Sequence, residues 1–94
     1  MRTRLSDIEL QSALKTLPGW RVEGGAIVKT FTFGKFADGI AFVQRVAKAA
    51  DEMDHHPDID IRYTKIRVAL STHDAGGITR MDVDLAGRIE ALGQ

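Results

Sequence analysis

Two segments of alternating hydrophobicity, each closed by a turn of two residues, bracket one long stretch whose apolar residues recur at helical spacing. In the first segment Trp20 and Val22 alternate with polar residues, Gly24-Gly25 forms the turn, and alternation resumes from Ile27 to Phe33. In the second, Ile59, Ile61 and Tyr63 alternate, Thr64-Lys65 is the expected join, and Ile66, Val68 and Leu70 follow. Strands joined so tightly must be antiparallel, and a single apolar face per strand requires cover on one side only. Between the two hairpins, from Phe36 to Met53, the pattern becomes helical. Phe36, Ile40, Val43, Ala47 and Ala50 form one stripe, and Phe42, Val46, Ala49 and Met53 form a second beside it. At ~100° per residue the two stripes cover about half the circumference. One face of a small sheet hides only part of such an arc. The helix is therefore either set deep in the core or packed also against another subunit.

The flanks carry helix signals. Ser6 can cap the amide of Glu9 while Glu9 reaches back, with Leu5 and Leu10 placed as a hydrophobic staple. Leu10, Ala13, Leu14 and Leu17 continue that stripe until Pro18-Gly19 ends it. After the loop Ala75-Gly76-Gly77, Thr79 opens a last helix with Asp82 as its capping partner, and Met81, Leu85, Ile89 and Leu92 form its buried edge. The predicted fold is α+β in the order α-β-β-α-β-β-α: a four-stranded antiparallel sheet with helices on one face and the other face partly open.

Length and charge narrow the function. At 94 residues, 1–94 reads as one domain, which buries somewhat over ~60% of the surface of its unfolded chain. Thirteen basic and thirteen acidic side chains cancel, with no block of like charge, so neither nucleic acid nor a membrane surface is an expected partner. The absence of cysteine excludes disulfides and thiolate zinc sites. MRTRLSDIELQ lacks the apolar centre of a signal peptide, and no run approaches membrane-spanning length, so a cytoplasmic location is expected.

All three histidines, His55, His56 and His73, sit at the ends of elements and none inside them. Strand parity puts His56 with Asp58, Asp60 and Arg62, and His73 with Arg67, Ala69 and Ser71. If the strands run regularly to their ends, both rings project from the uncovered face, while His55, at the corner, points elsewhere. Three imidazoles at one rim fit three readings. They are ordinary surface residues, or ligands of a divalent metal with Asp54 or Asp74 supplying oxygen, or general acid–base groups acting on an organic ring. Metal ligation fits poorly, because the rings of adjacent histidines diverge and no spacing here matches a known site.

Asp54-His55-His56-Pro57, then Tyr63, Leu70-Ser71-Thr72-His73-Asp74, Gly77-Ile78-Thr79, Asp82 and Leu85-Ala86 resemble the pterin-4a-carbinolamine dehydratase family. Gly19-Trp20 and Phe31-x-Phe33-x-x-Phe36 extend the likeness over nearly the whole chain. The resemblance implies a sheet covered on one side by helices. It implies loss of water from 4a-hydroxytetrahydropterin to give quinonoid dihydropterin, the step that recycles the pterin after an aromatic amino-acid hydroxylase has used it. It implies His55 and His73 as proton donors and acceptors, with His56 mainly holding the pterin. Asp54, Ser71, Thr72, His73 and Asp74 would line the site. No metal and no cofactor is implied, since the pterin is itself the substrate.

Two positions depart from the family pattern. Asp51 stands where a glutamate is common, four residues before His55, and Ile59 where a tryptophan is frequent. The shorter carboxylate puts its reach to a histidine in question, and the lost aromatic removes a stacking or packing contact. Asp82 is assigned to the helix cap rather than to the chemistry. The resemblance also implies a second role, since some family members stabilise a transcription factor's dimer through the central helix; a non-catalytic interaction or assembly role is therefore the alternative, and a homodimer or homotetramer the expected assembly.

Overall fold

The computed structural model describes residues 3–93. The elements are α1 (Asp7–Leu14), β1 (Arg21–Glu23), β2 (Ala26–Thr32), α2 (Phe36–Met53), β3 (Asp58–Arg62), β4 (Lys65–Leu70), a 3₁₀ turn (His73–Ala75) and α3 (Arg80–Leu92). The sheet is antiparallel throughout, in the order β1-β2-β4-β3. The expected α+β order is the one found.

Register explains which side is covered. Ile27 pairs with Leu70 and Phe31 with Ile66, while Ile59 lies opposite Val68. These side chains share one face and join Phe42, Val46 and Ala49 of α2 and Val83, Leu85, Ala86 and Ile89 of α3 in a single core cluster. Lys29 has the same parity but remains polar. Its ammonium donates to both carboxylate oxygens of Glu90 at 2.7 and 2.9 Å and to the Pro18 carbonyl at 2.8 Å. The Trp20 indole donates to the same Glu90 at 3.0 Å, so a polar clamp closes that part of the core.

The two turns differ. Gly24 and Gly25 both take positive φ, at 59° and 78°, as a type I′ hairpin requires. The second hairpin closes one residue earlier than expected. Arg62 pairs with Lys65, so the turn is Tyr63-Thr64, and Tyr63, at φ 53° and 74% exposed, is outside the strand. An aromatic in phase with Ile59 and Ile61 reads as a strand residue, and nothing local announces that the turn will take it. α1 likewise ends at Leu14 rather than running to the Pro18 signal. Thr16 and Leu17 fold back onto the carbonyls of Ala13 and Leu14, and Leu17 is buried.

Of the two α2 stripes, the one containing Phe42, Val46 and Ala49 is buried against the sheet. In the other, Phe36 and Ala47 are exposed and Ile40 and Val43 only half-buried; Ala50 alone is covered. Among the described residues no helix is long and apolar enough to cross a membrane.

The uncovered face carries a charge ladder, with Arg67 bonded to Glu23 at 2.8 Å and 3.8 Å from Asp60. Hydrogen bonds first from Arg67 and then from Arg21 hold the Glu23 carboxyl below the usual carboxylate range. A depressed folded-state pKa contributes stability that is present above the unfolded value and lost as pH falls through the folded one. Replacing Arg67 with methionine is expected to raise the Glu23 titration midpoint, read by NMR of its side-chain carboxyl.

Candidate active site

The corner after α2 separates two neighbouring histidines. Asp54 adopts a left-handed conformation (φ 50°, ψ 44°), and the His55 amide donates back to the Ala50 carbonyl at 3.1 Å. Aspartate tolerates this conformation better than most non-glycine residues. The chain therefore leaves the helix abruptly. His55 turns inward and is 6% exposed, whereas His56 stays on the surface.

Each ring meets its own carboxylate. His56 Nε2 lies 2.8 Å from Asp51 Oδ1, both side chains being exposed, so the shorter acid does reach a histidine, the second of the pair. His55 Nε2 lies 2.5 Å from Oδ1 of Asp82, which is completely buried. The other oxygen of Asp82 accepts the Thr79 amide and the Thr72 hydroxyl, each at 2.9 Å. Removing a carboxylate from water costs several kcal/mol, and three donors at these distances, each contributing roughly 1.5–3 kcal/mol, offset it.

β4 ends at Leu70, so parity does not carry through to His73. A bridge between Thr72 and Gly77 closes the following loop, with the Thr72 amide donating to the Gly77 carbonyl at 2.8 Å. His73 begins the 3₁₀ turn and is exposed, and Gly76 at φ 70° ends that turn. Asp54, His55, His56, Ser71, Thr72, His73 and Asp74 together line one open hollow of about 240 Å³. Pockets for drug-sized ligands run to ~300–1,000 Å³, so this one suits a smaller ligand left partly open to solvent.

A larger hollow, about 470 Å³, lies between α2 and α3, lined by Arg45, Lys48, Ala49, Glu52, Arg88, Ala91 and Leu92. It contains no histidine, and its one acid, Glu52, is bonded to Arg88 at 2.5 Å. Among the described residues no cluster of three or more His, Asp or Glu side chains is arranged to hold a metal ion.

Two residues acquire roles that sequence reasoning did not give them. Asp82 does cap α3, as expected from its spacing, but the same side chain also anchors His55. Thr79 caps the helix and contacts the Thr72 hydroxyl. No local signal links His55 to a residue 27 positions away. Only the packing of α3 against the end of α2 brings them together.

Residues 3–92 match the family model described as pterin 4 alpha carbinolamine dehydratase. This chain belongs to that family. A relative from Thermomicrobium roseum, provisionally named a pterin-4-alpha-carbinolamine dehydratase, is 47% identical over 89 residues, covering 95% of this chain and 96% of its own. A Roseiflexus relative with the same provisional name is 50% identical over 92 residues, covering 98% and 99%. Among solved structures, a Brucella melitensis protein described as a transcriptional coactivator/pterin dehydratase superposes with a TM-score of 0.93 at 34% identity, over 98% of this chain and 100% of that one. A pterin dehydratase-like protein identified as a RuBisCO assembly factor in the alpha-carboxysome superposes with a TM-score of 0.69 at 27% identity, over 80% and 89%.

The buried and exposed carboxylates of this dehydratase-family chain should respond differently to neutralisation. Asp82→Asn places an amide NH₂ where only donors point, and is expected to destabilise by about 1–3 kcal/mol in urea unfolding. Asp51→Asn, at the exposed pair, is expected to stay within about 0.5 kcal/mol of the parent.

Proposed function

We propose that this protein dehydrates 4a-hydroxytetrahydropterin to quinonoid dihydropterin by histidine general acid–base catalysis, in a tetrahydropterin recycling sequence. One observation carries the reading: in a chain of this family, all three imidazoles border the same hollow, and one of them is fixed from behind by a buried carboxylate.

The chemistry follows from what the substrate needs. Hydroxide leaves poorly, so the C4a oxygen takes a proton as its bond to carbon breaks. A ring nitrogen lone pair pushes the oxygen out, and a ring N–H then gives its proton to a base. His55 and His73 serve as the acid and the base, exchanging roles according to which face of the ring carries the hydroxyl. His56, steadied by Asp51, holds the pterin with Asp54, Ser71 and Asp74, while the buried Thr72 backs the wall of the hollow. The reaction uses no metal and no cofactor beyond the pterin, which is the substrate. Positioned proton transfer of this kind supplies ~10²–10⁴-fold, adequate for a carbinolamine that already loses water unaided.

Stopped-flow absorbance with freshly generated 4a-hydroxytetrahydropterin tests this directly. The wild type is expected to accelerate dehydration, and His73→Ala to slow turnover about tenfold or more while leaving the fold intact by circular dichroism. A wild type that adds nothing to the spontaneous rate refutes the reading.

A second reading, as an interaction or assembly protein, is favoured by the outer stripe of α2 and by the fold shared with an assembly factor. The same stripe suits self-association as a homodimer or homotetramer. Light scattering is expected to return a multiple of 10.3 kDa, and Ile40→Asp, which puts a charge on the stripe, is expected to return the monomer mass. A wild type already at monomer mass at micromolar concentration excludes the homo-oligomer.

A further inference from the structure

Beneath the hollow, Thr72, Thr79 and Asp82 are 1%, 0% and 0% exposed, and counting protons orients their hydrogen bonds. Thr79 Oγ1 accepts the Met81 amide at 3.3 Å. Thr72 Oγ1 lies 2.8 Å from Thr79 Oγ1 and 2.9 Å from Asp82 Oδ2. Each hydroxyl has one proton. If Thr72 gave its proton to Thr79, lone pairs of Thr72 and Asp82 would face each other and the Thr79 proton would lose its acceptor. A proton on Asp82 Oδ2 would relieve the first clash, since that oxygen can donate to Thr72 while accepting the Thr79 amide, but the Thr79 proton would still have no acceptor. One direction satisfies every group. Among the described residues no buried side-chain nitrogen or oxygen lacks a partner.

We propose that the Thr79 and Thr72 hydroxyls form a one-way chain, from the Met81 amide through both hydroxyls to Asp82 Oδ2, which makes His55 Nδ1 the proton-exchanging atom of the site. Two donors saturate Oδ2 and turn Oδ1 toward His55. With Asp82 ionised, His55 Nε2 carries its hydrogen, since the alternative tautomer would set two lone pairs against each other in a buried contact. The ring nitrogen left to the hollow is Nδ1. Thr72 and Thr79 act through Asp82 and His55 and are positioning residues. They sit ten and three residues before Asp82 and combine into one device only because the loop after β4 folds back on the start of α3.

The placement of the proton stands independently of the dehydratase reading; its kinetic consequence rests on that reading. Ring ¹⁵N shifts of labelled wild type are expected to show His55 protonated at Nε2 and bare at Nδ1 in its neutral form, with the Nε2 proton shifted far downfield and slow to exchange. A neutral His55 carrying its proton on Nδ1 overturns the proposal with no variant needed. Thr72→Ser, which keeps the hydroxyl, is expected to retain that resonance and turnover within about threefold. Thr72→Val, which keeps the shape, is expected to lose the resonance and lower kcat about tenfold with KM within about twofold. A valine variant that retains both refutes the role of Thr72. Thr72→Ala read against Thr72→Ser isolates the same hydroxyl should the valine protein not fold. If the wild type is inactive on hydroxypterin yet shows the Nε2 proton, the dehydratase reading falls and the chain of hydroxyls stands.

Discussion

A single buried carboxylate ties together three parts of this fold that the core packing brings to one point. Asp82 belongs to the first turn of α3, accepts a hydroxyl from the loop after β4, and faces the histidine that follows α2. An acid without solvent is tolerable only where its oxygens are fully occupied, and once occupied it resists the removal of any one partner. The corner after α2, the 3₁₀ loop and the start of α3 are consequently fixed relative to one another. The hollow they border has walls held by hydrogen bonds rather than by apolar packing alone.

That arrangement divides the labour among the histidines. His55 is bound from below and has one ring nitrogen left for other work. His56 and its partner Asp51 are exposed, and a contact between exposed charged groups contributes little to stability. His73 hangs from a short turn whose ends are pinned by the Thr72–Gly77 bridge. A buried ring, an exposed ring and a loop-borne ring thus border one hollow, which is the frame the proposed proton exchange requires.

Much of the architecture was legible in the residues, because period and turn chemistry agreed with tertiary structure. Gly24-Gly25 required a tight hairpin, the Ser6–Glu9 and Thr79–Asp82 spacings marked helix starts, and Phe36–Met53 read as one helix because its apolar residues never lost phase. The errors fell where one residue satisfied two patterns. Tyr63 kept strand phase yet formed a turn, and Leu17 kept helical phase yet lay beyond the helix. The site was legible only in part. The histidines and the Ser71–Asp74 segment declared themselves as types and motifs, and strand parity did not reach His73. The second duty of Asp82 stayed hidden, because a good local explanation, the cap, already accounted for it. A residue that satisfies its helix gives no sign that it also serves a partner across the core.

The left-handed turn at Asp54 has one more consequence. By sending His55 inward and His56 outward, it ties one of two adjacent histidines to the integrity of the protein and frees the other. Substitutions at the inner ring are expected to register as lost protein, whereas those at the outer ring would, under the proposed function, show only when a pterin is offered. A survey of variants scored by cellular abundance would therefore map only one side of this pair, and the silent side is the one that selection could retune without rebuilding the domain.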